Sequence, residues 1–334
     1  MITIKDIAKT AGVSHTTVSR ALKDNPAISP ETRERIQKLA REMGYTPSAV
    51  AQSLLAQRTY TVGMVVTTIA DPFVVQVVEG VESVAQQAGY SVFLCTSHDD
   101  PDREIDVVET LHRRRVDVII VTSSRVGSLY TERLGQIRVP IVLINNQSEG
   151  QYLYSVAVDD VQGAQLAVEH LLALGHRRIG YAGTVRRPRS SRRRLAGYQK
   201  ALEQAGVTPD STLIPPPVAK NDIERGAETL EHLLATDATA VFCYNDLIAI
   251  GMLEACRRRG ISVPQQLSVV GFDDIEPAMY VSPALTTVNQ PRLRLGQQAM
   301  NMALDLLNDQ DVQDQLLPCE LVARESTTEL VGSA

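Results

Sequence analysis

Tryptophan is absent from this 334-residue chain, and cysteine occurs only as Cys95, Cys243, Cys256 and Cys319. The four have no paired spacing and three lie inside apolar runs. That excludes a zinc or disulfide framework and reads as buried thiols in a reducing compartment. No apolar run is long enough to span a bilayer and no signal peptide opens the sequence, so the expected location is the cytoplasm. There is no Gly-x-x-x-x-Gly-Lys phosphate loop and no Gly-x-Ser-x-Gly elbow. The six histidines (His15, His98, His112, His170, His176 and His232) are dispersed, without metal-ligand spacing. The chain is therefore read as a non-enzyme that needs neither metal nor cofactor.

What is present is asymmetric. Residues 1–60 carry nine Lys and Arg against five Asp and Glu, and the remainder carries 24 against 34, within an overall charge of −6. A basic head on an acidic body is the distribution expected when only the head meets phosphate. At this length one compact core is not expected; two or three domains are.

The head opens with two short helices around a tight turn. Thr3 and Asp6 form a capping box, Gly12 supplies the turn, and Ser14 is the N-cap of the second helix. Ile4, Ile7, Ala8, Val13, Val18 and Leu22 form one apolar set at helical spacing. The second helix then turns His15, Thr16, Ser19, Arg20 and Lys23 outward on one face, which suits a helix laid in the DNA major groove. A surface helical hairpin is the alternative. Ser29-Pro30-Glu31 starts a third helix with Ile36, Leu39, Ala40 and Met43 as its buried stripe, and Gly44 stops it. Thr46-Pro47 starts a further helix, through Ala56, too short to be stable alone. Either it folds on docking to DNA or to a second copy, with Leu54 as a wedge into a minor-groove step, or it is a linker whose leucines pack on the body.

These residues identify a family. Asp6-Ile7-Ala8, Ala11-Gly12-Val13-Ser14, Thr17-Val18-Ser19-Arg20, Gly44-Tyr45-Thr46-Pro47 and Ala51-Gln52-Ser53-Leu54 resemble the DNA-binding head and hinge of the LacI/GalR transcriptional regulators. The resemblance implies that His15, Thr16 and Arg20 read bases and that Leu54 opens the central base step. Thr3, Ser14, Thr17, Ser19 and Ala51 complete the expected DNA-contacting set. Ser48 departs from the asparagine usual at its position.

From Thr61 onward, apolar runs alternate with amphipathic helices. Val62–Val66, Ser91–Cys95, Val116–Val121 and Pro140–Ile144 form one set. Ser155–Asp159, Arg178–Ala182, Ala240–Tyr244 and Leu267–Phe272 continue it. Near-continuous Val/Ile runs separated by helices predict parallel strands buried on both faces, hence two Rossmann-like lobes facing across a cleft. The body is similar to the type I periplasmic-binding-protein fold through Gly175–Ile179, Asn245-Asp246, Gly271–Asp274 and Pro283–Val288. That similarity implies three lobe crossings, near Asp159-Asp160, near Asn289-Gln290 and at 318–324, and a structural role for His176. The expected organisation is a small all-α helix-turn-helix head over 1–45, a hinge helix and linker over 46–60, and an α/β body over 61–334. Lobe 1 would hold about 61–159 and 291–318, and lobe 2 about 160–290 and 319–334. No heptad segment follows Leu330, so the family's occasional tetramerisation helix is not expected.

In open parallel sheets ligands bind beyond the carboxyl ends of the strands. Polar residues following the apolar runs are thus the candidate effector contacts: Asp71, Phe73, Thr122, Asp159, Arg192, Arg194, Asn245, Asp273 and Gln290. Carboxylates and amides that each take two hydroxyls, with an aromatic face, suit a polyol. The resemblance implies effector contacts for Arg194, Asn245 and Asp273. Taken singly, each is equally a helix cap or turn residue, and Asp246 reads as a cap. Val74 and Asn221 stand where relatives often present aromatic rings. Arg186–Arg194 packs six arginines into nine positions. This is either a clamp for an anionic effector, such as a sugar phosphate or carboxylate, or a solvated face like the Arg113–Arg115 and Arg257–Arg259 triplets.

The resulting expectation is a homodimeric repressor of a pseudo-palindromic DNA operator, controlled by a small-molecule effector such as a sugar or sugar derivative. The alternative is a solute-binding protein, cytoplasmic or exported, without a regulatory role.

Overall fold

The computed structural model describes residues 2–45, 58–124, 126, 139–146, 153–219 and 221–330. Contacts divide the chain into two units, Met1–Thr59 and Tyr60–Ala334.

In the first unit, α1 (Ile4–Ala11), α2 (His15–Leu22) and α3 (Pro30–Glu42) surround a core of Ile7, Ala8, Val18, Ala21, Ile36 and Ala40. Each helix start is chemically marked. Thr3 and Asp6 cap α1 reciprocally, Ser14 accepts the Thr17 N–H, and Ser29 precedes Pro30 at the first turn of α3. Gly12, at φ 67°, closes α1 in the left-handed conformation and sends the chain directly into α2.

The second unit holds two sheets. Strands β1 (Thr61–Val66), β2 (Ser91–Thr96), β3 (Val118–Thr122), β4 (Ile141–Ile144), β5 (Leu153–Val158) and β10 (Gln315–Leu317) pair in parallel in the order β10-β5-β4-β3-β1-β2. The second sheet is built from β6 (Ile179–Ala182), β7 (Ala240–Cys243), β8 (Ser268–Asp273), β9 (Thr286–Asn289) and β11 (Glu320–Val322). Its order is β11-β9-β8-β7-β6, with only β11 antiparallel among the described strands. Central strands buried along their length, such as Val118–Thr122 and Ala240–Cys243, account for the unbroken Val/Ile runs. Helices α4 (Pro72–Gln87) and α5 (Pro101–Arg113) flank the first sheet. Helices α6 (Asp160–Ala173), α7 (Pro188–Gln204), α8 (Asp222–Leu233) and α9 (Asp246–Arg259) belong with the second.

The chain passes between the sheets three times: after β5, after β9, and between β10 and β11. Following β9, α10 (Arg292–Leu307) returns to pack on α4. That crossing is close because Gly80 faces Gly296. A Cβ on Gly80 would overlap Leu293 O, and one on Gly296 would overlap Val77 O. Buried His176 ties the C-terminal segment down, its ring hydrogen-bonded to Thr239 Oγ1 at 2.9 Å and Thr328 O at 3.1 Å. Burial holds its pKa below the ordinary value, against the opposing pull of the Thr328 carbonyl.

Boundaries shift by a residue or two from the sequence reading. The third strand starts at Val118 rather than Val116, because Arg115 turns at φ 58° and the Asp117 carboxylate accepts the Tyr60 N–H at 2.8 Å. Cys243, Cys256 and Cys319 are buried and Cys95 is half-buried.

Candidate DNA-reading face and ligand cleft

In the head, packing of Val18 and Ala21 into the core leaves His15, Thr16 and Arg20 exposed on α2 and Ser19 half-buried. The predicted hydroxyl contacts are partly committed elsewhere. Ser14 Oγ accepts the Thr17 N–H at 3.1 Å and bonds Thr17 Oγ1 at 2.9 Å, while the Thr3 hydroxyl donates to Asp6 Oδ2 at 2.7 Å. Those Thr3 bonds hold the Asp6 carboxyl below its ordinary pKa, keeping a negative charge at the start of α1, where the helix dipole favours it. Ala51 and Leu54 lie outside the described residues.

In the body, a cavity of about 680 Å³ lies between the two sheets, lined from both. Asp71, Phe73, Arg192, Arg194, Asp273 and Gln290 all line it. Asp71 caps α4 through Oδ1, which accepts the Phe73 N–H at 3.0 Å, and its Oδ2 accepts from Arg187 at 2.6 Å. Gln290 sits where the chain leaves β9. Its amide donates to Asp273 at 2.6 Å and accepts from Asn145 at 3.0 Å, joining both lobes.

Arg194 is the most enclosed cation of the cleft, its side chain 4% exposed. It donates to Asp160 at 2.8 Å and to the Tyr244 carbonyl, lies 3.5 Å from Asp273, and stacks 3.6 Å from the Phe272 ring centre. Burial alone would lower its pKa, but the Asp160, Tyr244 and Asp273 sites reverse this and hold the charge firmly. Asp273 shows the opposite balance. Burial pushes its carboxyl up to about 6 despite the pull of Arg194. Its backbone, at φ 119°, is in a region that side chains rarely adopt, a strain typical of binding sites.

Three predicted contacts do not line the cleft. The Thr122 hydroxyl is buried and donates to Val65 O at 3.4 Å. Asp159 caps α6, accepting from Val161 and Gln162 at 3.1 Å each. Asn245 caps α9 and donates to Asp222 at 2.8 Å. Asp159 and Asn245 thus act as the helix caps that were the alternative for them, while the Thr122 hydroxyl is satisfied by the adjacent strand β1. Asp246 is not the cap expected of it. It is the first residue of α9, fully buried, and its carboxylate accepts from Ile275 N and Thr287 Oγ1. Burial and the nearby Asp273 raise its pKa well above the ordinary value.

Other lining residues escaped the sequence reading. Asn145 and Asn146 follow β4, Tyr244 follows β7 and Ser124 comes two residues after β3, so the rule that pointed to Asp71 applies to them as well. Within the arginine run, Arg186 reaches Asp99 at 3.2 Å and Arg189 reaches Asn146 at 2.9 Å. With Arg187–Asp71, three polar links cross from the second lobe to the first. Among the described residues no group of three His, Cys, Asp or Glu side chains is placed to hold a metal ion, and no helix is long and apolar enough to cross a membrane.

Residues 3–48 match the family model for bacterial regulatory proteins, lacI family, and residues 168–327 match the model for a periplasmic binding protein-like domain. Over 316 residues the chain is 34% identical to the HTH-type transcriptional repressor PurR of Haemophilus influenzae (strain PittEE), covering 93% of each. Among solved structures it is similar to the lac repressor dimer bound to operator and the anti-inducer ONPF, at 29% identity and a TM-score of 0.85 over 98% of this chain and 99% of that one. It is also similar to the transcriptional regulator CelR–cellobiose complex, at 28% identity and a TM-score of 0.72 over 98% and 100%.

Proposed function

Because the chain belongs to the LacI family of bacterial regulatory proteins, we propose that it is a cytoplasmic, non-enzymatic, homodimeric repressor of a pseudo-palindromic operator, with its DNA affinity set by a small effector in the cleft. Residues 1–45 are the reading head, 46–60 the hinge and 61–334 the sensing and pairing body. The observation that carries the reading is the row His15, Thr16 and Arg20, facing solvent on a capped helix within a basic head. Such a helix presents donors to base edges in the major groove, while Thr3, Ser14, Thr17 and Ser19 are placed to position it against phosphate. Ala51 and Leu54 are assigned to the minor groove on the family resemblance alone.

For the body, Asp71, Phe73, Arg192, Arg194, Asp273 and Gln290 are the effector contacts; Thr122, Asp159 and Asn245 support them from behind. One relative of similar fold holds cellobiose, and carboxylates, amides and an aromatic ring around a polar cavity suit a sugar or sugar derivative here too. Occupancy changes how the lobes close, and so how two copies present their heads. Homodimerisation is supported by β2, an edge strand with Phe93 and Leu94 nearly half exposed, an apolar edge that soluble proteins rarely leave bare. The test is duplex binding by the full chain. Affinity should fall steeply with salt, and Arg20→Ala should relax base preference. A uniform loss across sequences would make Arg20 a phosphate contact, and no salt-sensitive duplex binding at all would reject the function.

A further inference from the structure

We propose that the two lobes are latched to each other by the arginines that precede α7, Arg187 on Asp71 and Arg186 on Asp99, and that this latch sets the DNA affinity of the protein before any effector binds. The proposal rests on the body controlling the head. Both arginines follow β6 in the second lobe, and both carboxylates belong to the first: Asp71 opens α4, and Asp99 lies between β2 and α5. Arg187 donates to Asp71 at 2.6 Å and Arg186 to Asp99 at 3.2 Å. A rotation that parts the lobes here has to break both pairs.

The Arg187–Asp71 pair differs from a surface ion pair in enclosure and in bracing. Its side chains are 21% and 11% exposed, against 71% and 38% for Arg257 and Glu254 on α9. An enclosed charge-assisted bond is worth more than an exposed one, and removing either partner strands the other charge. Each end is also fixed from behind. Arg225, fully buried, donates to Gly183 O at 3.0 Å and to Pro215 O at 2.6 Å, anchoring the root of the arginine segment to its own lobe. Asp222, held by Asn245 at 2.8 Å, lies 3.8 Å from Arg187, so the guanidinium sits between a carboxylate of each lobe. Across the cleft, the other oxygen of Asp71 is occupied by the Phe73 N–H. Both partners are thus pre-placed, and closing costs little side-chain entropy. Asp71 also lines the cavity, so an effector that takes its free oxygen does so at the expense of Arg187. Ligand entry and lobe contact then form one equilibrium, through which a small molecule biases two arrangements of the body.

A double-mutant cycle on DNA binding tests this, read with the effector-free full-length chain on a duplex that the chain itself has selected from random sequence. Arg187→Met and Asp71→Asn, the second of which keeps the acceptor that caps α4, should each shift the duplex Kd by roughly 5-fold or more, in the same direction. The double variant should shift it no further than the larger single change, because both act through one contact. Arg178→Gln breaks ion pairs to Asp210 and Asp237 that lie within the second lobe, and should leave the Kd unchanged. Small-angle scattering should show the two latch variants more open than the parent and the Arg178 variant no different from it. If Arg187→Met melts early, Arg186→Gln, on a side chain 35% exposed, carries the comparison and should shift the Kd the same way. An unchanged Kd in the latch variants, additive shifts in the double variant, or an equal shift in Arg178→Gln would overturn the latch and leave the regulator standing. Failure of the parent chain to bind any duplex rejects the regulator, and the latch with it.

Discussion

Replacing Arg194 by methionine is the most informative perturbation of the cleft. Methionine keeps most of the volume and the packing on Phe272 but removes the charge from between Asp160 and Asp273, whose side chains are 10% and 13% exposed. Stripping one partner from a buried ion pair costs about 3–5 kcal/mol. The lower end applies here, because Asp273 keeps its Gln290 bond and can take up a proton. About 3 kcal/mol corresponds to a fall in the body's melting temperature of roughly 6–12 °C at pH 8.

The fall should shrink in acid. With Arg194 present, the Asp273 carboxyl already titrates at about 6, above the ~3.9 of an unfolded chain. The folded state therefore binds the proton more tightly, and this group favours folding at low pH and loses that contribution as pH rises through 6. Without the guanidinium the carboxyl moves higher still, so protonation at pH 5 removes more of the variant's penalty than it returns to the parent. Melting curves at pH 8 and pH 5 should show the gap between R194M and the parent closing by roughly 1 kcal/mol or more. An equal gap at both pH values, or a drop under about 2 °C at pH 8, would refute the assignment of Arg194 as the counter-charge of the cleft.

Two further substitutions probe the scaffold. Ser14→Ala removes the acceptor for the Thr17 N–H and should cost the head about 1 kcal/mol, seen as faster hydrogen exchange across residues 4–45; unchanged exchange would show that the cap is dispensable. Gly226→Ala puts a methyl group onto Ile248 O and Met252 N at the α8–α9 crossing. It should destabilise the body by about 3 kcal/mol, measured in urea, and a neutral result would mean that the two helices can part.

The fold was largely readable because its determinants are local. Ser14, Gly12 and Ser29-Pro30 act through bonds within three or four residues, and the Val/Ile runs report burial on both faces wherever they sit. The cleft was only half readable. Asp71 and Asn245 look alike in sequence, each a polar residue ending an apolar run just before a helix, and both are N-caps. Asp71 has a second oxygen left for Arg187, whereas Asn245 gives its remaining group to Asp222. That difference depends on a partner 116 or 23 positions away. Nothing in the local pattern encodes it. The arginine run was visible, but which acids its members meet required knowing where Asp71, Asp99, Asp160 and Asp222 end up.

The placement of β10 and β11 bears on how the protein is made. Each is the border strand of a different sheet, and only two residues separate them in the chain. A polypeptide emerging from the ribosome therefore carries two unfinished sheets, with β5 and β9 each missing one neighbour, until residues 315–322 have emerged. Both lobes are sealed in one late step, and until then the bare strands need shielding from other nascent chains.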